Sequence, residues 1–236
     1  MMRKKGSHVG VVLSFVIFVV FLVFLFSALQ PALKIEKDKE AILEYISNSI
    51  IELSSENMTI ENINYTVQLP NPPEKQIDCA GVLDNSQTGE KVIVKNIADG
   101  IVPYSIIGGN IIIYDLKLGK NSFKIYHSKS IIDQSSAGTC ERTTSDYQIN
   151  FINKETIISI SKFSEIANRN YNSLKQELGI SQKEDFSFSL LNADKINITE
   201  IKNITITANV YVNEFPVLYS NENGEIKSGF INVRVW

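Results

Sequence analysis

The sequence predicts an α+β protein: a single N-terminal transmembrane helix continues into an amphipathic helix, and a mostly antiparallel, sandwich-like β ectodomain with one inserted helix follows. Three observations support this fold class. They are a long uncharged apolar run, a helical apolar stripe directly after it, and short alternating strands separated by turn residues. The expected segments are a basic cytoplasmic leader, the transmembrane helix, the juxtamembrane amphipathic helix and the extracytoplasmic β-rich domain, at residues 1–8, 9–30, 31–56 and 57–236.

The apolar run Val9–Leu29 contains 21 residues and no charge. A helix of this length covers roughly 30 Å, the thickness of the hydrocarbon core of a bilayer. An isolated strand cannot satisfy its backbone hydrogen bonds in lipid, so a helix is expected. The run is longer than the apolar region of a secretory signal and lacks a small-x-small site near its end. We therefore expect the helix to be retained as a signal anchor in the cell membrane.

The charges before the run set the expected orientation. Arg3, Lys4 and Lys5 are the only charged residues there, and all three are basic. By the positive-inside rule they remain cytoplasmic, which places the C-terminal domain outside the cell.

The tripeptide Lys4-Lys5-Gly6 stands directly before the apolar run. It resembles the cleavage site of type IV prepilins and archaeal flagellin-like proteins, over residues 3–30 only. The resemblance implies cleavage after Gly6, a mature chain that begins at Ser7, and a structural role with copies of itself or other pilin-like subunits. Bacterial pilins carry an acidic residue near the mature N-terminus, where this chain has Val11. Archaeal relatives often lack that residue, so the resemblance points to an archaeal pilin-like protein.

Beyond the run, Pro31 is expected to kink or end the helix because it removes one hydrogen bond and crowds the preceding turn. A second helical stripe follows, with apolar residues at spacings of seven, four, four and three: Ile35, Ile42, Ile46, Ile50 and Leu53. This stripe fits a helix packed on a globular head, a stalk helix, or a coiled-coil seam between copies of the chain.

From about residue 57 the apolar period changes from helical to two. The predicted strands are 58–69, 76–83, 91–97, 109–114, 122–127, 147–160, 185–191, 196–201, 203–212, 215–220 and 229–236. The turns between them include Gly108-Gly109 and Asn221–Glu225. One helix is expected within this region, capped by Ser161 and stopped by Gly179.

The two cysteines, Cys79 and Cys140, are expected to form one disulfide outside the membrane, with two free thiols as the alternative. Four sequons also lie on the expected outer side and predict N-glycosylation. Their asparagines are Asn57, Asn64, Asn197 and Asn203.

Composition argues against several functions. Without the three basic leader residues, 20 basic and 26 acidic residues remain, a formal charge of −6 that disfavours nucleic acid as a partner. The chain has two histidines, His8 and His127, and lacks the nucleophile, metal and cofactor motifs of enzymes. Four aspartates nevertheless stand as candidates for a carboxylate pair: Asp78, Asp115, Asp133 and Asp146. We expect no enzymatic activity, metal or cofactor.

Two functions remain. The first is a pilin-like or pseudopilin structural subunit of a surface filament or assembly, which accounts for Lys5-Gly6 and for the continuing helix. The alternative is a signal-anchored surface binding or adhesion module without a filament role. Its candidate loops are 84–90 and 128–146, and its candidate aromatic residues are Tyr104, Tyr114, Tyr126 and Tyr147.

Overall fold

The computed structural model describes residues 8–67, 78–114, 116, 119–136, 138–140, 142–144, 147–201 and 210–236. Its first element is helix α1 (His8–Ser54), a single helix of 47 residues. Pro31 lies inside α1 and does not end it. Ala28-Leu29-Gln30 and Ala32-Leu33-Lys34 on either side are good helix formers, so the loss of one hydrogen bond is tolerated.

The β-rich body confirms the predicted α+β, mostly antiparallel class. Its strands are β1 (Ser55–Val67), β2 (Asp78–Leu83), β3 (Lys91–Asn96), β4 (Tyr104–Ile107), β5 (Asn110–Ile113), β6 (Gly119–Ser128), β7 (Arg142–Thr144), β8 (Tyr147–Ser159), β9 (Phe186–Asn192), β10 (Asn197–Glu200), β11 (Tyr211–Ser220) and β12 (Ile226–Val235). Most of the predicted strand 203–212 lies outside the described residues.

These strands form two sheets in the described part of the chain. The larger sheet has the order β10-β9-β12-β11-β8-β1-β6-β3, and the smaller has the order β4-β5-β2-β7. Neighbouring strands are antiparallel except for β11 with β8 and β2 with β7. Strand β1 is central because β6 and β8 pair along its two edges.

The smaller sheet packs on the β1-β6-β3 end of the larger one. Between them lies a buried apolar core made of Ile63, Tyr65, Ala80, Val82, Val92, Val94, Val102, Tyr104, Ile111, Ile113, Phe123 and Ile125. This end of the body is therefore layered sheet on sheet around a largely apolar interior.

The other end of the larger sheet is covered by helices. Here the C-terminal part of α1 packs with two short helices, α2 (Ile160–Ala167) and α3 (Tyr171–Glu177), over β9 and β12. Phe163 and Phe188 meet edge to face in this core, with ring centroids 5.4 Å apart.

The single inserted helix of the prediction is therefore two helices. Ser159, not Ser161, caps α2 by accepting a hydrogen bond from the Lys162 amide. Asn170 then caps α3 by accepting from the Ser173 amide. The break between α2 and α3 follows from this second cap, since an asparagine side chain that bonds a nearby amide favours a helix start over a helix interior.

Two strands were missed by the sequence prediction. Strand β4 precedes Gly108 and Gly109, whose φ angles of 58° and 78° match a tight hairpin turn into β5, as predicted for this pair. Strand β7 has only three residues and lies within a Ser/Thr-rich segment that reads as loop. Short edge strands of this kind lack a detectable alternation.

Candidate functional site

The apolar part of α1 is the most unusual surface of the molecule. Gly10–Leu29 is the single candidate membrane span among the described residues, and none of it is buried within the protein. Phenylalanines on successive turns are all exposed, including Phe15, Phe18 and Phe24 at 65%, 56% and 66%. By length and composition this segment is suited to cross a membrane as an anchor or to serve as a signal sequence.

The C-terminal part of α1 has a different surface. Leu43, Ile46 and Ile50 are buried in the helix-covered core, and Ile42, Ile51 and Leu53 pack against it from partly buried positions. Glu44 and Tyr45 on the other faces are exposed. From Ile42 onward the predicted stripe therefore packs on the head of the same chain, whereas the side chain of Ile35 lies outside the described residues.

Helix α1 passes directly into the central strand β1. Ser54 ends the helix, its Oγ donates to the Ile50 carbonyl at 2.5 Å, and Ser55 begins the strand. Lys162 of α2 donates to the Ser55 carbonyl at 2.9 Å, and Lys39 of α1 pairs with Glu184. Lys162 thus contacts the first residue after the junction, and Lys39 links α1 to the head further along the helix.

The predicted cleavage residues Gly6 and Ser7 lie outside the described residues. The described part of α1 begins at His8, so its apolar segment starts within a few residues of the predicted site. Prepilin-type processing stays a prediction.

The expected disulfide is present. Cys79 and Cys140 are bonded, with Cα atoms 5.8 Å apart and a sequence separation of 61. Cys79 lies in β2 and is buried, and Cys140 lies just before β7, the strand that pairs with β2. The bond thus ties the end of the 128–146 segment to the smaller sheet.

The sequon asparagines have different surroundings. Asn57 is exposed on β1, and its Oδ1 accepts a hydrogen bond from Thr156 at 3.0 Å. The Nδ2 atoms of Asn64 and Asn197 donate to Asn150 and Glu200, at 3.0 and 2.7 Å. Asn203 lies outside the described residues. Glycosylation attaches the sugar at Nδ2, and in Asn57 the hydrogen bond to Thr156 uses the other side-chain atom, Oδ1.

Of the four candidate aspartates for a carboxylate pair, Asp133 alone has a described side chain, so the pairing stays a prediction. Asp133 accepts hydrogen bonds from the Tyr104 hydroxyl at 2.8 Å and the Ser135 amide at 2.9 Å. The single hydroxyl proton of Tyr104 is shared between this carboxylate and the Val92 carbonyl, and burial raises the pKa of the hydroxyl. Asp133 therefore fixes its loop on the core. Asp115 and Asp146, and the side chain of Asp78, lie outside the described residues.

The candidate aromatic residues of the binding interpretation are mostly structural. Tyr104 and Tyr114 are buried, and the half-buried Tyr147 packs against the core between the sheets. Tyr126 is also buried, yet it lines a pocket between β3, β6 and the turn before β12.

A buried polar group that the sequence did not indicate lies at the edge of the core between the two sheets. Glu61 and His127 are 2% and 1% exposed, and their closest atoms, Oε2 and Nε2, are 3.9 Å apart. The Asp84 Oδ1 lies 4.0 Å from His127 Nδ1, and Asn85 donates to Glu61 at 3.3 Å. The imidazole beside Glu61 holds the pKa of this carboxyl below its usual range, against the opposing effect of burial.

This group could have been found only from the strand register. Thr59 faces His127 across the β1–β6 ladder, which places Glu61 diagonally opposite the ring on the same face of the sheet. Within the described residues no three histidine, cysteine or acidic side chains are arranged to hold a metal ion. The group therefore holds a carboxylate and an imidazole that are both almost fully shielded from solvent.

Comparison with known proteins found no match: no protein-family model, no curated protein and no solved structure is similar to this chain.

Proposed function

We propose that this chain is a membrane-anchored cell-surface protein that acts as a pilin-like structural subunit. In this proposal Val9–Leu29 spans the membrane, the N-terminus is cytoplasmic and the β-rich head lies outside. The observation that carries it is the continuity of α1, one helix that joins an entirely exposed apolar segment to the buried core of the head.

The exposed apolar segment requires a partner. Its side chains are apolar on every face, so water is an unfavourable environment for the whole circumference of the helix. A lipid bilayer satisfies this surface, and so does a bundle of the same helices from other copies. A subunit that moves from membrane to filament would use both environments.

The rigid junction favours a structural subunit over a tethered binding module. A binding module needs only a flexible linker between anchor and head, whereas α1 enters the central strand without an intervening loop. Lys162 contacts the first strand residue, and the Lys39–Glu184 pair links α1 to the head further along the helix. The disulfide supports the outward orientation, because such bonds persist in oxidising compartments.

The proposal predicts that Gly6→Leu blocks removal of the leader while membrane insertion continues, because the apolar helix is unchanged. Gly10→Leu is the matched control: this glycine lies four residues further on, inside the run, and a Cβ there meets nothing within 4 Å. Intact mass and the membrane fraction are measured for both variants, and cell surfaces are inspected for filaments.

We expect the Gly6→Leu chain to keep its leader and to form no filaments, and Gly10→Leu to be processed like the unchanged protein. Identical N-termini in all three chains would contradict the pilin-like role. An unprocessed, membrane-bound chain would then favour the anchored binding module.

A further inference from the structure

One pocket of the head contains a lysine with no charged partner in contact. The cavity measures about 470 Å³ and is formed by β3, β6 and the turn between β11 and β12. Its charged and aromatic lining consists of Lys95, Asp99, Lys124, Tyr126, Glu225 and Lys227. Pockets of this size accommodate a small organic molecule.

Two of the three lysines are neutralised locally. Lys124 pairs with Asp99 at 2.9 Å and Lys227 with Glu225 at 2.8 Å. Lys95 is only 2% exposed, and among the described residues no hydrogen bond or ion pair reaches its ammonium group. Its Nζ lies 5.1 Å from the centroid of the Tyr126 ring. Three ammonium groups thus face two carboxylates, which leaves one positive charge in excess.

The strand register makes this arrangement costly for the fold. Lys95 lies directly opposite Lys124 in the β3–β6 ladder, and like charges in such pairs are destabilising. Burial and Lys124 both lower the pKa of Lys95, while Glu225 and Asp99 raise it. A buried cation that contacts no carboxylate is unfavourable unless an anion pairs with it. Such departures from local stability are typical of binding sites.

The turn that closes the pocket is preorganised. Gly224 has a φ of +65°. A Cβ at this position would lie 3.8 Å from the side chains of Ile93 and Tyr126, so the turn packs against these two residues. Asn221 Oδ1 accepts from the Asn223 and Glu225 amides, both at 3.0 Å, and fixes the position of Glu225. The pocket walls therefore need little ordering on binding.

We propose that this pocket binds a small organic monocarboxylate, with Lys95 as the partner of the carboxylate. The single excess positive charge matches one carboxylate, and the cavity volume matches a molecule the size of a uronic acid or a benzoate. This proposal is independent of the filament role, since either kind of surface protein can carry such a site.

The test measures binding of glucuronate and benzoate, each against its neutral counterpart, glucose and benzamide. The full chain in detergent is titrated at millimolar ligand, and saturation transfer to the ligand is followed by NMR. We expect at least one carboxylate to bind and its neutral counterpart to fail. Absence of binding by both carboxylates, or equal binding of the neutral counterpart, would overturn the proposal.

Variants locate the site. Lys95→Met is expected to weaken carboxylate affinity about tenfold or more, because it removes the charge-assisted contact. Lys91→Met removes the same charge from an exposed position on the same strand and is expected to leave affinity unchanged. Unchanged affinity in a folded Lys95→Met protein would overturn the assignment.

Lys227→Met provides a second variant that does not touch the core, because Lys227 is 56% exposed. It cancels the excess positive charge of the pocket and is also expected to weaken binding. If Lys95→Met does not fold, the carboxylate affinities of Lys227→Met and Lys91→Met are compared instead. Equal affinity of these two variants would contradict the proposal.

Discussion

At the scale of single residues, the head contains charges where a β-rich core ordinarily has none. Glu61 is buried on the central strand β1, and His127 is the basic group beside it. Because His127 lowers the pKa of Glu61, the ionised carboxylate is favoured by the folded state relative to the unfolded chain.

Glu61→Gln is expected to reduce the stability of the head by about 1–3 kcal/mol at neutral pH, since it removes the charge that faces His127. A folded-state pKa below the ordinary 4.5 gives stability that is present above pH 4.5 and is lost as the pH falls through the lowered value. The difference between the variant and the unchanged protein should therefore shrink in acid.

Urea unfolding of the full chain in detergent, followed by the fluorescence of the single tryptophan, Trp236, measures this difference. Trp236 is 8% exposed and exchanges two backbone hydrogen bonds with Asp185, so its emission reports the folded head. Glu52→Gln, at an exposed position of α1, is the control. A pH-independent difference for Glu61→Gln would contradict the role of this carboxylate.

At the scale of elements, α1 joins two segments with different surfaces, an exposed apolar segment and a segment that packs on the head. The stripe of Ile42, Ile46, Ile50 and Leu53 was predictable because its helical spacing is a local property of the sequence. The continuation of the helix through Pro31 was not predictable from the sequence. The energetic penalty of one proline competes there with the helix propensities of the residues around it.

Ile50→Ala tests the docking of α1. Ile50 is fully buried against the head, so its truncation is expected to destabilise the head by about 2–5 kcal/mol in the same unfolding measurement. Tyr45→Ala, at a position 52% exposed on the same helix, should change stability by less than about 0.5 kcal/mol. Equal effects of the two substitutions would mean that α1 does not pack on the head.

The disulfide stabilises the smaller sheet. Cys79→Ser with Cys140→Ser is expected to cost about 4 kcal/mol in the chain-entropy model, given the sequence separation of 61. Reductant should lower the unfolding midpoint of the unchanged protein but leave that of the double variant in place. Two titratable thiols in the unreduced, unfolded chain would contradict the bond.

At the scale of the whole molecule, local sequence signals predicted the class of fold but not its assembly. The alternation of apolar and polar residues indicated most strands of the head, because this pattern is visible within each strand on its own. The strand order was not accessible, because β1 pairs with β6 and β8, which lie far away in sequence. For the same reason Glu61 and His127, or Lys95 and Lys124, appear unrelated until the register is known.

The same limit applies to the functional surfaces. The apolar segment Gly10–Leu29 is one contiguous run, so composition alone identifies it as a candidate membrane span. The Lys95 pocket unites three separate segments, and each of its lysines reads in isolation as an ordinary surface charge. The proposed site depends on long-range strand pairing, so it becomes visible only in the structure.

The decisive measurement is the N-terminus and intact mass of the chain extracted from its native membrane. We expect a membrane-bound chain that begins at Ser7 and retains the whole apolar segment of α1. A chain that begins beyond Ala28 would contradict this expectation, because the segment would then be a removed signal and the head a secreted protein.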